Sequence, residues 1–248
     1  MGNIIYKKSE LDKAAAAFDK KGYAIFEKLL SEKDFIDAEQ KINKELEKGG
    51  GAKELHNLHL KDSWFREFVL KEEFTSVAKS LLGVEKVKVF TSLILNKPPK
   101  GLMTVPWHQD AAYEWPIDPL DCATLWLAFD DVTIENGAME FAIGAHNKGI
   151  FEMVDSEDLK EEKCLFPNKV KRSIPKHSLD NYKKTYLTIK KGNVSFHHSM
   201  LPHKSNPNKT ENRRCAFSVR YCRGDIKIKK YEGMKREKEF KNFELIEA

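Results

Sequence analysis

Pro106-Trp107-His108-Gln109-Asp110 is the stretch on which the fold of this chain turns. It follows the Pro98-Pro99 loop and precedes a strand-like run, so its backbone is expected to be extended. In an extended segment side chains alternate faces; His108 and Asp110 then point the same way, where an imidazole and a carboxylate can ligate one metal ion. Such a pair arises by chance in a chain with 8 histidines, and acquires meaning only with a third donor. His203, several strands later in Leu201-Pro202-His203-Lys204-Ser205-Asn206, can supply it, because two histidines and one carboxylate form a triad that leaves three faces of an octahedral ion open. Arg214 opens the next strand, and its planar guanidinium suits two-point binding of a carboxylate.

Working outward, the apolar period is 2 across Val87–Leu95, Thr124–Phe129, Tyr186–Ile189, Asn193–His197 and Arg214–Tyr221, which predicts strands. Glu135-Asn136-Gly137 reads as a hairpin turn with Ala138–Ile143 as its return strand. Before residue 84 the period is helical. Ser9 is the expected cap of a helix that Gly22 ends, and Tyr23–Phe26 is a short strand. Ser31 caps a helix to about Lys48, with Phe35, Ile36, Ile42 and Leu46 on one side, and Gly49-Gly50-Gly51 breaks it. Two further helices are expected over 62–70 and 72–82. Residues 150–185 read as a charged insertion of the kind that covers a site, and 225–248 as a solvated, charged tail with a few anchors. Helices first and strands after predict a single α+β, mainly β domain: a helical part over about 9–83, a sheet core over about 86–222, and the tail.

Composition narrows the function classes. The 248 residues are 41% hydrophobic and 33% charged, with no apolar run long enough for a membrane span. The net charge of +5 is spread among scattered lysines rather than gathered into a basic stripe, so no nucleic-acid partner is expected. The N-terminus lacks a signal-peptide core, and Cys122, Cys164, Cys215 and Cys222 form no C-x-x-C pair, so a cytoplasmic protein with reduced cysteines is expected.

Taken together, Leu95-Asn96-Lys97-Pro98-Pro99, Pro106–Asp110, Thr124–Asp131, Glu135-Asn136-Gly137, Gly144-Ala145-His146, and His203-Lys204-Ser205 with Asn208 and Arg214 resemble the phytanoyl-CoA dioxygenase family of Fe(II)- and 2-oxoglutarate-dependent oxygenases. The resemblance implies a double-stranded β-helix (jelly-roll, cupin-like) core with the N-terminal helices packed outside. It implies Fe(II) held by His108, Asp110 and His203, and 2-oxoglutarate held by Arg214 and Ser205 in a pocket lined by Trp126 and Leu93. The implied reaction uses O2, with ascorbate in support, and hydroxylates or otherwise oxidises a C–H bond while releasing succinate and CO2. Asp110 itself argues against a halogenase, in which a small residue replaces the metal carboxylate.

Other residues receive weaker readings. His146 is expected to be a turn residue rather than a ligand, one of His197 and His198 must face inward, and His59 is a candidate to reach the pocket. Trp107, Tyr113 and Trp115 could wall a substrate site or pack the core. Lys97, Lys100, Arg220 and Arg223 are expected near the pocket mouth, which with the small size of the chain favours a small polar metabolite, an anionic one among them. The six-residue step from Arg214 to Arg220 also matches AlkB-like nucleic-acid demethylases. Two further alternatives are a zinc hydrolase, in which Arg214 has no task, and a metal-binding jelly-roll module without oxygenase activity.

Overall fold

The computed structural model describes residues 6–51, 54–112, 115–155, 172–229 and 244–248. The N-terminal part runs α1 (Lys8–Lys21), β1 (Tyr23–Phe26), α2 (Glu32–Lys48), β2 (Glu54–His56), α3 (Ser63–Val69) and α4 (Glu72–Leu82). Strands follow: β3 (Val87–Lys97), β4 (Val105–His108), β5 (Ile117–Asp118), β6 (Cys122–Ala128), β7 (Met139–Ala142), β8 (Val154–Asp155) and β9 (Arg172–Ser173). The last are β10 (Lys184–Tyr186), β11 (Val194–His198), β12 (His203–Ser205), β13 (Arg214–Arg223), β14 (Lys227–Ile228) and β15 (Ile246–Glu247). Among the described residues no helix is long and apolar enough to cross a membrane.

Local chemistry sets most helix ends. The Ser31 hydroxyl accepts the Asp34 N–H at 3.1 Å and starts α2, while Gly22 at φ 86° closes α1 in the left-handed region that costs glycine little. Ser9 is not the cap of α1. The helix begins earlier because the Glu10 carboxylate accepts the Lys7 N–H at 2.8 Å, which leaves Ser9 inside the first turn. On α2 the buried stripe is Ala38, Ile42 and Leu46, and Ile36 is exposed rather than part of it.

Two antiparallel sheets face each other as a jelly roll. The larger has the order β1-β11-β6-β13-β3-β15, with β2 also on β3; the smaller is β10-β7-β12-β4. The outer face of the large sheet carries Leu125, Leu127, Phe196, Phe217 and Val219, and the four helices cover it with residues such as Phe18, Ile42, Phe65 and Phe74. Burial on both faces explains why β6 is apolar along its length instead of alternating with polar residues. The Tyr221 hydroxyl donates to the Val69 carbonyl at 2.7 Å and pins α3 to this sheet.

One expectation needs correction. Glu135-Asn136-Gly137 is a turn, with the Asn136 side chain accepting the Thr133 N–H and donating to the Asp131 carbonyl, but it does not close a hairpin. β6 pairs with β11 and β13, whereas β7 pairs with β10 and β12 in the other sheet, so the turn carries the chain between sheets. The tail is anchored at two places, where β14 pairs with β5 and β15 pairs with β3. In the insertion the described residues give β8 paired with β9, a 3-10 turn and β10; whether 156–171 cover the site lies outside the described residues.

Candidate functional site

The inner face of the large sheet is a ladder of cross-strand rows, read from the register. His197, Thr124, Arg220 and Thr91 form one row, Ser195, Trp126, Ser218 and Leu93 the next, then Ala128, Ala216 and Leu95, and finally Arg214 beside Lys97. Charged groups thus stand at the two ends and small or apolar ones between. β4 and β12 of the small sheet close over this floor and leave a cavity of about 630 Å³, measured out into its mouth.

At one end lie His108, Asp110 and His203. All three are buried, and their ligand atoms lie within 4.8 Å of one another. His108 and His203 are register partners across β4 and β12, with ring centroids 4.1 Å apart. A carbonyl can only accept, so the tautomers are settled: His108 Nδ1–H donates to Pro106 and His203 Nδ1–H to Leu201, each at 2.9 Å, leaving Nε2 as the acceptor nitrogen of each ring. Burial pushes both imidazoles below their usual range, which keeps them neutral and suited to ligate a cation. Burial by itself would raise the Asp110 carboxyl, but the Arg220 guanidinium and neighbouring histidines hold it well below the usual carboxylate range, so it is an anion. Two neutral imidazole nitrogens and one carboxylate fit a divalent transition ion such as Fe(II).

At the other end Arg214 and Lys97 are both buried, at 3% and 1% exposure. Among the described residues neither has a carboxylate within ion-pairing distance. Asp130, the nearest acid acting on Arg214, is committed to the Cys215 N–H at 2.8 Å and to Arg213. Arg214 lies over the Trp126 ring, 5.3 Å from its centroid, and donates to the Gly137 carbonyl at 3.2 Å, while its Nε is buried without a partner. Lys97 donates to the Ser205 hydroxyl at 2.8 Å and to the Asn206 carbonyl. Burial, reinforced by Arg214, lowers Lys97 to about 6; burial lowers Arg214 to about 10. A side chain on Gly137, at φ 88°, would run into Asn206 and Lys97, so the turn before β7 must carry glycine to form the back wall. A buried guanidinium with an orphaned N–H, and beside it a buried lysine that an incoming anion would protonate, form a cradle that a carboxylate from outside the chain would fill.

Sequence reasoning brought together His108, Asp110, His203, Arg214, Ser205, Trp126 and Leu93, and all seven line the one cavity. Lys97 and Arg220 line it too, but inside it rather than at a mouth; Lys100 and Arg223 do not, being exposed and paired with Glu211 and Asp225. His59 does not reach the cavity and sits in the core against the Ser92 hydroxyl at 2.6 Å. His146 is a structural residue, donating from Nε2 to the Asp19 carbonyl. His198 faces outward onto Phe18 and His146, and its neighbour His197 faces the cavity, 3.5 Å from Asp110. Trp107 packs under Lys204 and Trp115 under Arg220; Tyr113 and Cys164 lie outside the described residues. Thr124 and the Arg220–Asp110 pairing were not foreseen, although the two-residue period along β6 and β13 puts Thr124 and Arg220 on the face of Trp126 and Arg214.

A family model described as Phytanoyl-CoA dioxygenase (PhyH) matches residues 8–216. A Caenorhabditis elegans phytanoyl-CoA dioxygenase domain-containing protein 1 homolog is 27% identical over 168 residues, 66% of this chain and 56% of that protein. A probable alpha-ketoglutarate-dependent hypophosphite dioxygenase of Stutzerimonas stutzeri is 30% identical over 171 residues, 69% and 57%. The matched part thus spans little more than half the length of these relatives. Among solved structures, the epimerase SnoN in complex with Fe3+, alpha ketoglutarate and nogalamycin RO superposes with a TM-score of 0.77 at 18% identity, over 93% of this chain and 90% of that one.

Proposed function

Because the chain belongs to the phytanoyl-CoA dioxygenase family, we propose that it is an Fe(II)- and 2-oxoglutarate-dependent oxygenase of a small polar metabolite. The observation that carries this reading is the pairing of opposites on one floor: two histidines and a carboxylate at one end, and at the other a buried arginine and a buried lysine that have no anion of their own among the described residues. His108, Asp110 and His203 hold the metal. Arg214 and Lys97, with the Ser205 hydroxyl, receive the distal carboxylate of 2-oxoglutarate, and Trp126 and Leu93 pack its methylene chain. Bound iron with 2-oxoglutarate and O2 supplies oxidation of an unactivated C–H bond coupled to release of succinate and CO2.

The protein's own part is orientation and dryness. The Pro106 and Leu201 carbonyls hold the two rings in register, so they need no reorientation when a cation arrives. The apolar middle rows exclude water between the charged ends, which strengthens every electrostatic contact inside. A zinc hydrolase would leave Arg214 and Lys97 as two buried charges without a task. A small polar substrate agrees with the Stutzerimonas relative, a probable hypophosphite dioxygenase, since hypophosphite is a small anion.

The test is succinate release by the purified protein with Fe(II), ascorbate and 2-oxoglutarate, over a panel of amino acids, phosphonates, quaternary amines, acyl-CoAs and methylated oligonucleotides. Slow release without substrate and stimulation by a small polar compound are expected. Stimulation by acyl-CoAs or oligonucleotides alone would overturn the substrate class, and absence of any succinate would overturn the reaction.

A further inference from the structure

The row His197, Thr124, Arg220 is an anomaly in the large sheet: a set of polar and charged side chains on three adjacent strands, all turned toward the same carboxylate. Asp110 opens the 3-10 turn just after β4 and is held from the large sheet. Arg220 Nε donates to Asp110 Oδ2 at 3.2 Å, Thr124 Oγ1 donates to the same oxygen at 3.2 Å, and His197 Nε2 lies 3.5 Å from it. Arg220 Nη2 reaches Oδ1 at 2.7 Å, and Oδ1 is the oxygen turned toward His108, 3.9 Å from its Nε2.

Arg220 is itself fixed on two further sides. Its Nη1 donates to the Thr91 hydroxyl at 2.9 Å, and its guanidinium lies 5.4 Å from the centroid of the Trp115 ring. The register of β13 on β3 slips by one residue between Arg220 and Tyr221, a bulge at the point where the side chain must be aimed. A fork so constrained cannot follow a rotating carboxylate.

Resting on the reading that His108, Asp110 and His203 hold a metal, we propose that Arg220, assisted by Thr124, is a positioning residue that makes Asp110 ligate through Oδ1 alone. A carboxylate has two oxygens and can bind a cation through both, which at an octahedral ion would consume a face that the cosubstrate or O2 needs. Oδ2 has both lone pairs taken, by Arg220 Nε and Thr124 Oγ1, and is approached by His197, whereas Oδ1 takes only Arg220 Nη2 and keeps one lone pair for the ion. Arg220 contributes nothing to holding 2-oxoglutarate in this assignment, since it stands at the opposite end of the floor from Arg214.

The experiment uses Ni(II) as the probe, with affinity from calorimetry and the number of Asp110 oxygens on the ion from crystals of the loaded protein. Arg220→Lys keeps the charge, and with it the repulsion of the metal, but loses the fork. Thr124→Val removes one hydroxyl at constant shape. The wild type is expected to bind Ni(II) through one Asp110 oxygen, Arg220→Lys to bind 10- to 100-fold more weakly, and either variant to show Asp110 rotated or bound through both oxygens. A merely structural role would lower the melting temperature without changing that oxygen count. If Arg220→Lys fails to fold, Thr124→Val decides by the oxygen count alone. Affinities within twofold of wild type and one bound oxygen in every variant that folds would overturn the inference while leaving the metal reading intact. A wild type that does not bind Ni(II) would overturn the metal reading and this inference together.

Discussion

The two ends of the cavity floor are built on the same strand, six residues apart on β13, and handle charge in opposite ways. At Arg220 the chain supplies both partners: the guanidinium meets Asp110 at 2.7 Å, and the pair is complete before any ligand arrives. At Arg214 it supplies a guanidinium without a carboxylate, and beside it Lys97, a second basic group that an anion can protonate. A neutralised end holds a group still, while an end left with excess charge waits for a ligand. The difference separates the part that must be rigid from the part that must bind and release on each turnover.

The comparison breaks outright if the ends can be exchanged in their effects. The largest effect is expected at the metal end: His203→Ala should show no measurable Ni(II) binding by calorimetry and no succinate release, and an unchanged rate would remove the triad. Next is the cation end. Arg214→Lys keeps charge but loses one of two parallel hydrogen bonds, worth about 1.5–3 kcal/mol, so the KM for 2-oxoglutarate should rise roughly 10- to 150-fold with Ni(II) affinity nearly unchanged. A variant that weakens the metal instead would show that the two ends are one electrostatic unit.

The smallest effect sharpens the comparison through pH. Lys97 in the empty pocket is depressed to about 6, and a bound carboxylate raises it. Below about pH 6 the lysine already carries its proton; above it, binding must take one up, so 2-oxoglutarate affinity should fall by up to about tenfold per pH unit from 6 toward the pKa of the bound state. Calorimetry at pH 8 in buffers of different ionisation heat should report uptake of close to one proton, and Lys97→Met should abolish it. Absence of uptake in the wild type would place the carboxylate on Arg214 alone.

The parts that were legible in the sequence are those a short window carries. The period of 2 gave β3, β6, β11 and β13 to within a few residues, and the Ser31 cap and Gly22 stop mark helix ends by local hydrogen bonding. His108 and Asp110 were legible as neighbours, and His203 and Arg214 as a third donor and a carboxylate clamp by residue type, with the family resemblance tying the four to iron and 2-oxoglutarate. What was not legible depends on which strands become neighbours. Glu135-Asn136-Gly137 has the residues of a hairpin turn, and only the pairing of β7 with β12 shows that its flanks part into two sheets. Lys97 was expected near the pocket mouth, and its place inside follows from the Gly137 turn and Asn206 closing over it. Arg220 had a face but no partner, because Asp110 comes to it from another strand system.

The strand order also has a consequence in time. Tyr23–Phe26 pairs with no strand near it in sequence; its partner is Val194–His197, which in turn lies against β6. During synthesis α1 and β1 emerge early and can fold only as fragments, with Phe18 and Phe26 exposed, until the strand from Val194 leaves the ribosome. Sheets made of such distant pairings pay loop closure before any contact rewards it, and domains of this kind fold in milliseconds to seconds rather than microseconds. The lysines dispersed through α1, together with Glu10 in its first turn, keep that waiting segment charged, so that the distant pairing of β1 does not cost the chain its solubility.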